Sequence, residues 1–412
     1  MKLKQSLLIS LWFVFLTFPM MVLRVNTIEK VVVWRWRNML YVALGSFFIS
    51  LVWQHFLEKR LRRPLQLATG EAAGAKLSHR FMADPRISRF WSVLLGLFLL
   101  GAPFFFSVYQ TNVMTTACVY IVLGLGLNII VGLTGLLNLG YVAFYAVGAY
   151  CYALLNYHFG VGFWTALPLG ALMGSIAGLL LALPVMRLRG DYLAIVTLGF
   201  GEITRLILEN WDDFSFGPSG ISHIPPPGFF GISLSLKGLT IYMYFLMLGF
   251  CLATIFVVRR WQDSRVGRAW IAIRENETAS QAMGIDTVRA KRAAFAIGAG
   301  LAGMMGVIFA AKTTFINPAS FNFIESAMIL SIVVLGGIGS IPGIITAALL
   351  LIILPEYLRV FSDYRMLIFG IAMVVMMTFR PQGIIPYVRR TYKFHPPGNR
   401  QGAPQGDNER RS

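Results

Sequence analysis

The 412-residue chain predicts an all-α polytopic membrane protein with about ten to twelve transmembrane or re-entrant helices, each needing about 20 apolar residues. Three observations carry that reading. Hydrophobic residues make up 57% of the sequence and charged residues only 13%, where a soluble domain carries about 25% charged. From Phe90 to Met186 there is no Asp, Glu, Lys or Arg, an interval with room for about four spans. The third is the placement of basic residues: eight Lys/Arg between Lys59 and Arg89, eight between Arg259 and Arg292 and seven between Arg380 and Arg411. Basic loops mark the cytoplasmic side of a membrane protein. The net charge of +18 therefore points to topology, and no nucleic-acid partner is expected.

The elements follow in order. The opening MKLKQSLLISLWFVFLTFPMMVLRV has the basic start and apolar core of a signal peptide but no A-x-A cleavage site, so it reads as a retained span over residues 7–23. A second span is expected over 39–57. Arg24, Lys30, Arg35 and Arg37 lie between the two, against the rule that external loops are poor in basic residues. Residues 58–89 read as a basic cytoplasmic linker. Its GEAAGAK, Gly70 to Lys76, lacks the spacing of a phosphate-binding loop. Residues 1–89 thus form an N-terminal extension and 90–390 a membrane core. The tail 391–412 is polar and rich in Pro and Gly, and is expected to be disordered and cytoplasmic.

Within the core, spans are expected at 91–108, 113–133, 138–157 and 163–186, the last ending in the basic turn RLRG. The apolar segment DYLAIVTLGFGEITRLILENW follows, then a Pro/Gly/Ser-rich loop, then a span at 239–258. Further spans are expected at 293–311, 324–339, 342–358 and 364–379. Two stretches are dense in glycine, Gly124 to Gly140 and Leu335 to Gly343. Unwound backbone at membrane depth is tolerated only where protein or water lines it, so these read as helix breaks on a translocation path. Asn128, Asn138, Gly132, Gly135, Gly336 and Gly337 are the candidate path or break positions. Interhelical hydrogen bonding is the simpler role for either asparagine.

Glu202, Arg205 and Glu209 stand at i, i+3 and i+7 and share one helix face, the spacing of a structural ion pair. Glu325 and Glu356 each fall near a span end. Cys118, Cys151 and Cys251 sit in apolar runs without CxxC spacing, so they read as packing residues and no metal site is indicated. The five histidines, His55, His79, His158, His223 and His395, have no ligand spacing, and GxSxG, HExxH and the Walker A pattern are absent from the sequence. No catalytic residue is expected.

The one extended polar stretch of the second half is Asp263 to Arg292, DSRVGRAWIAIRENETASQAMGIDTVRAKR. Ala269, Ala272, Ile273, Ala279, Ala282 and Met283 recur at helical spacing around a charged turn, Arg274, Glu275, Asn276 and Glu277. Gly284 suits a helix stop. The expectation is a short helix lying across the membrane surface.

Four runs together carry a family resemblance: YIVLGLGLNIIVGLTGLLNLGYVAFYAVGAY (Tyr120 to Tyr150), RLRGDYLAIVTLGFGEITRLI (Arg187 to Ile207), GPSGIS (Gly217 to Ser222) and VGRAWIAIRENETASQAMGI (Val266 to Ile285). They resemble the LivM-type permease subunits of bacterial high-affinity branched-chain amino acid ABC importers, over roughly Phe90 to Arg390. The resemblance implies the ABC importer permease fold, multi-pass in the bacterial inner membrane with both termini cytoplasmic. It implies transport of leucine, isoleucine and valine handed over by a periplasmic amino-acid-binding protein. Further implied partners are a second homologous permease subunit, two cytoplasmic ABC ATPase subunits and membrane lipid. No cofactor is implied in this chain, since ATP and magnesium belong to the ATPase subunits. Residues 263–292 become the ATPase-coupling segment, with Arg274, Glu275, Asn276, Glu277, Ala279 and Gly284 as candidate contacts. The general importer loop motif, EAA then three residues and Gly, maps onto Thr278, Ala279, Ser280 and Gly284. Only Ala279 and Gly284 match, and Glu277 lies one place early. A urea or short-chain amide importer is the alternative of similar fold. An ion-coupled transporter or channel is the alternative of another class, opposed by the polar segment and the scarcity of intramembrane carboxylates.

Overall fold

The computed structural model describes residues 23–26, 31–34, 99–186, 188, 190–228 and 235–357, with 370, 374, 378 and 383–385. The spans expected at 39–57 and 7–23 lie outside these residues, apart from Leu23, as do the basic linker, the tail, the first eight residues of the span at 91–108 and most of the span at 364–379. The chain divides into two units, Met1–Phe98 and Leu99–Ser412. In the first, β1 (Leu23–Asn26) pairs antiparallel with β2 (Val31–Trp34), Leu23 opposite Trp34. The connection rich in basic residues therefore contains a strand pair where a plain loop was expected.

The second unit is built of helices, most of them long and apolar. They are α1 (Val108–Asn128), α2 (Val142–Phe159), α3 (Phe163–Val185), α4 (Asp191–Asn210), α5 (Leu236–Gln262), α6 (Arg265–Glu275), α7 (Glu277–Ala282), α8 (Thr287–Thr313), α9 (Phe323–Gly336) and α10 (Ile341–Tyr357). Between α5 and α8, α6 and α7 are short and polar. Among the described residues, five stretches are long and apolar enough to cross a membrane: Val108–Leu133, Phe163–Val185, Leu236–Gln262, Thr287–Thr313 and Pro318–Gly336.

Side-chain caps set the helix starts. Ser107 and Gln110 form a capping box at α1, and Ser235, Ser264, Asn276, Asp286 and Asn322 accept from backbone N–H groups at the starts of α5, α6, α7, α8 and α9. Each cap satisfies a donor that has no partner within its helix. Because Asp286 caps α8, that helix begins well before the expected residue 293, and the last residues of the polar stretch are its first turns.

Helix α8 is the hub, packed against α1, α2 and α3. Glycine makes this possible by bringing backbone onto backbone. A methyl group built on Gly148 of α2 would overlap the Gly303 carbonyl, one on Gly170 of α3 would overlap Val307, and one on Gly174 would come within 2.6 Å of the Ala299 carbonyl oxygen. Small residues at such crossings let membrane helices gain dispersion contact where hydrophobic burial gives little drive. Tyr141 closes the crossing from the side, donating to the Gly298 carbonyl at 2.8 Å. At the end of α8, β4 (Phe315–Ile316) pairs with β3 (Ile221–Ser222) from the loop after α4. The loops after α4 and α8 thus meet at one end of the bundle, and α6 and α7 lie at the other, where α5 ends and α8 begins.

Candidate functional site

Two interrupted helices meet beside the polar segment. The first interruption follows α1. The α-helix passes into a π-helical turn, Ile129–Leu133, and the chain then runs non-helically until α2. Gly135 takes a left-handed φ of 74°, which bends the chain away from the helix axis at little steric cost. π-helical turns are rare and concentrate at functional positions. The second interruption separates α9 from α10. Gly337 and Gly339 have φ of 108° and 89°, and the Ser340 side chain accepts from Gly343 N–H to start α10. Residues 383–385 close over this turn: Ile384 N–H donates to the Leu335 carbonyl at 2.8 Å and Ile385 N–H to that of Gly336 at 3.3 Å.

Asn128 joins the two interruptions. Fully buried, it accepts from the Gly339 N–H at 2.9 Å through Oδ1. Gly132 permits the contact, since a methyl group there would overlap Asn128 Oδ1 and approach the Gly339 nitrogen to 2.9 Å. Asn138 acts locally, its Oδ1 accepting from Gly140 N–H at 3.0 Å. Among the described residues, Nδ2 of Asn128 and Nδ2 of Asn138 meet no acceptor. A buried donor left unmatched costs about 1–3 kcal/mol. Such orphans concentrate where structure answers to something other than stability.

The polar segment grips the first interruption and the end of α5 grips the second. Arg274, at the end of α6, donates from Nη1 to the carbonyl of Gly132 at 2.6 Å. Its stem passes over Gly135, where a methyl group would come within 2.7 Å of Arg274 Cγ. Gln262, the last residue of α5, donates from Nε2 to the Gly339 carbonyl at 2.9 Å. A guanidinium bonded to a carbonyl freed by the π-helical turn is a charge-assisted contact, about twice as strong as a neutral one.

The segment is itself held firmly to α8. Trp270, fully buried, donates from Nε1 to the Ala290 carbonyl at 2.7 Å. Lys291 is buried and paired with Glu277 at 2.5 Å. The expected single helix is two, because Asn276 ends α6 in extended conformation and caps α7 through Oδ1 to Ala279 N–H. The charged turn is divided accordingly. Arg274 and Glu277 reach inward to Gly132 and Lys291, while the Glu275 side chain stays exposed. Ala279, Ala282, Met283 and Gly284 are exposed at the tip, Gly284 in the left-handed region at φ 84° with open space around it.

Of the residues predicted from sequence, the structure brings Asn128, Gly132, Gly135, Gly336, Gly337 and Arg274 into one neighbourhood. It leaves Glu202, Arg205 and Glu209 elsewhere, on α4, where Arg205 bonds Glu202 at 2.9 Å and Glu209 at 2.5 Å. Glu325 accepts from the Tyr120 hydroxyl at 2.5 Å. Gln262, Trp270 and Lys291 were missed. A tryptophan on the apolar side of an otherwise polar helix and a lysine among alanines were the available signals.

Membrane-length helices interrupted at two glycine-rich points, with a polar bracket bonded to both, define a polytopic membrane transport protein. The chain belongs to the family described as branched-chain amino acid transport system / permease component, whose profile matches residues 109–377. It is 45% identical over 336 residues to the high-affinity branched-chain amino acid transport system permease protein LivM of Escherichia coli (strain K12), covering 76% of this chain and 78% of that one. It is 47% identical over 382 residues to LivM of Salmonella typhimurium, covering 88% and 87%. The permease protein LivH of E. coli (strain K12) is 31% identical over 134 residues, 32% of this chain and 42% of that one. No solved structure matches the chain.

Proposed function

We propose that this chain is the transmembrane permease subunit of an ATP-binding-cassette importer, moving leucine, isoleucine and valine across the bacterial inner membrane. A periplasmic binding protein delivers the amino acid, a second homologous permease completes the path, and two cytoplasmic ATPase subunits holding ATP and magnesium supply the energy. The observation that carries this reading is the bond from Arg274 to the Gly132 carbonyl, beside the parallel link from Gln262 to Gly339. Displacing α6 together with the adjoining end of α5 would pull on both interruptions at once.

The chemistry of the cargo agrees. An amino acid is a zwitterion, and its two charges cross an apolar barrier only where polar groups or helix ends stabilise them. The interrupted helices α1 and α9 offer such ends, and the orphaned amides of Asn128 and Asn138 allow a second arrangement in which they find acceptors. The exposed tip formed by Ala279, Ala282, Met283 and Gly284 is an apolar knob of the kind that seats in a groove of a soluble partner. The basic residues around this end of the bundle support a cytoplasmic position for it. Relatives named for branched-chain amino acid transport favour that substrate class over urea or short amides.

The test is reconstitution of this chain with its second permease, both ATPases and the binding protein in proteoliposomes. Leucine uptake should require ATP and all partners. The purified chain alone should neither bind nor hydrolyse ATP. Uptake without ATPase subunits, or ATP hydrolysis by this chain alone, would overturn the assignment.

A further inference from the structure

Helices α3 and α4 each leave one side open, and the two open sides differ in kind. That of α3 is apolar along its length, with Leu169, Leu172, Met173, Ile176, Leu180 and Leu183 exposed. Such a surface suits lipid chains. Helix α4 buries a narrow stripe, Leu193, Ala194, Thr197, Gly201 and Leu208, anchored where Gly201 and Gly140 touch and Leu139 N–H donates to the Thr197 hydroxyl at 3.0 Å. Val196 and Phe200 pack beside this stripe, and the side away from them is more open and carries the half-buried ion triad.

The triad cannot face lipid cheaply. Helix α4 has 20 residues, about 30 Å at 1.5 Å per residue, and so matches the thickness of a membrane core. Glu202 stands just past its midpoint. The side chains of Arg205, Glu202 and Glu209 are 25%, 35% and 38% accessible, so their mutual bonds leave them partly unshielded. Ionisable groups at that depth belong against protein or water. Two carboxylates around one guanidinium also leave a net negative charge, which pairing within the triad does not remove. On the same open side Gly199 has no atom within 4 Å of the place a Cβ would occupy. Ile195, Ile203 and Leu206 are exposed around it. That notch leaves open space beside the polar groups.

We infer that the open side of α4 faces the second permease subunit across a water-filled cleft, and that Glu202 and Arg205 line the route of the amino acid through that cleft. The inference rests on the importer reading above. Glu202 offers an acceptor to the ammonium group of a zwitterion and Arg205 a donor to its carboxylate, each partly accessible and bonded to a partner it can release. The triad is then a charge-matched waypoint rather than a brace within α4.

The experiment uses the reconstituted complex with Cys118, Cys151 and Cys251 replaced by alanine. Leucine uptake by this parent tests the importer reading separately. Gly199→Cys fits the open space, and it should react with a charged, membrane-impermeant thiol reagent about tenfold faster than Leu180→Cys on α3, the size of difference that kinetic comparison resolves readily. Its modification should block uptake. Equal, slow reaction at both positions in an active parent would overturn the inference. As a second measurement, Arg205→Gln should lower uptake by about tenfold while Arg205→Lys, which keeps the charge, loses less. Undiminished uptake by Arg205→Gln would also overturn it.

Discussion

The crossings of α8 and the interruptions of α1 and α9 use the same residue type to opposite ends. On α8, Gly298, Gly303 and Gly306 lie inside a helix and bring its backbone against those of α1, α2 and α3; the helical hydrogen bonds are intact and the contact is tight. At Gly135, Gly337 and Gly339 the backbone is left-handed and the helix stops, so its freed groups are held by side chains, Arg274 on Gly132 and Asn128 and Gln262 on Gly339. The difference teaches where the molecule can move. A packed crossing has one arrangement, because interiors resist deformation, whereas a turn held by a few exchangeable hydrogen bonds has more than one at modest cost.

This contrast can be broken at either side. The largest effect is expected at the crossings. Gly303→Leu forces a side chain into the Gly170 backbone and should destabilise the fold by about 3 kcal/mol or more, seen as loss of monodisperse protein in detergent. Next comes Asn128→Ala. It removes the acceptor of the buried Gly339 N–H and should cost about 1–3 kcal/mol, lowering the thermal midpoint while the protein still inserts. If Asn128→Ala proved as disruptive as Gly303→Leu, the interruptions would be as rigid as the crossings. Smallest is Gly284→Ala: the site is open but left-handed, so the cost should be about 1 kcal/mol, read as a shift of only a few degrees.

Much of this arrangement is legible in the sequence, for reasons specific to each element. Glycine density marks both interruptions because only glycine tolerates those turns, and the i, i+3, i+7 spacing of Glu202, Arg205 and Glu209 specifies their pairing within one helix. The polar segment between apolar runs announces a surface element. What is not legible is long-range. Nothing local ties Arg274 to Gly132, 142 positions away, or Gln262 to Gly339. The two-residue strands Ile221–Ser222 and Phe315–Ile316 leave no periodic trace. Asn276 reads as part of a charged turn, yet its capping geometry splits the expected helix in two. Residues 298–306 of α8 carry glycine at helical spacing, the mark of a packed crossing rather than of a helix break.

The link between surface and path is tested most directly at Arg274. In the fully reconstituted importer, leucine transported per ATP hydrolysed should fall by about tenfold in Arg274→Ala, as expected when a charge-assisted hydrogen bond of about 1.5–3 kcal/mol is lost. Complex assembly and the ATPase rate should stay near those of the unsubstituted protein. A transport-to-hydrolysis ratio unchanged by that substitution would contradict the claim that this contact carries the driving force into the membrane.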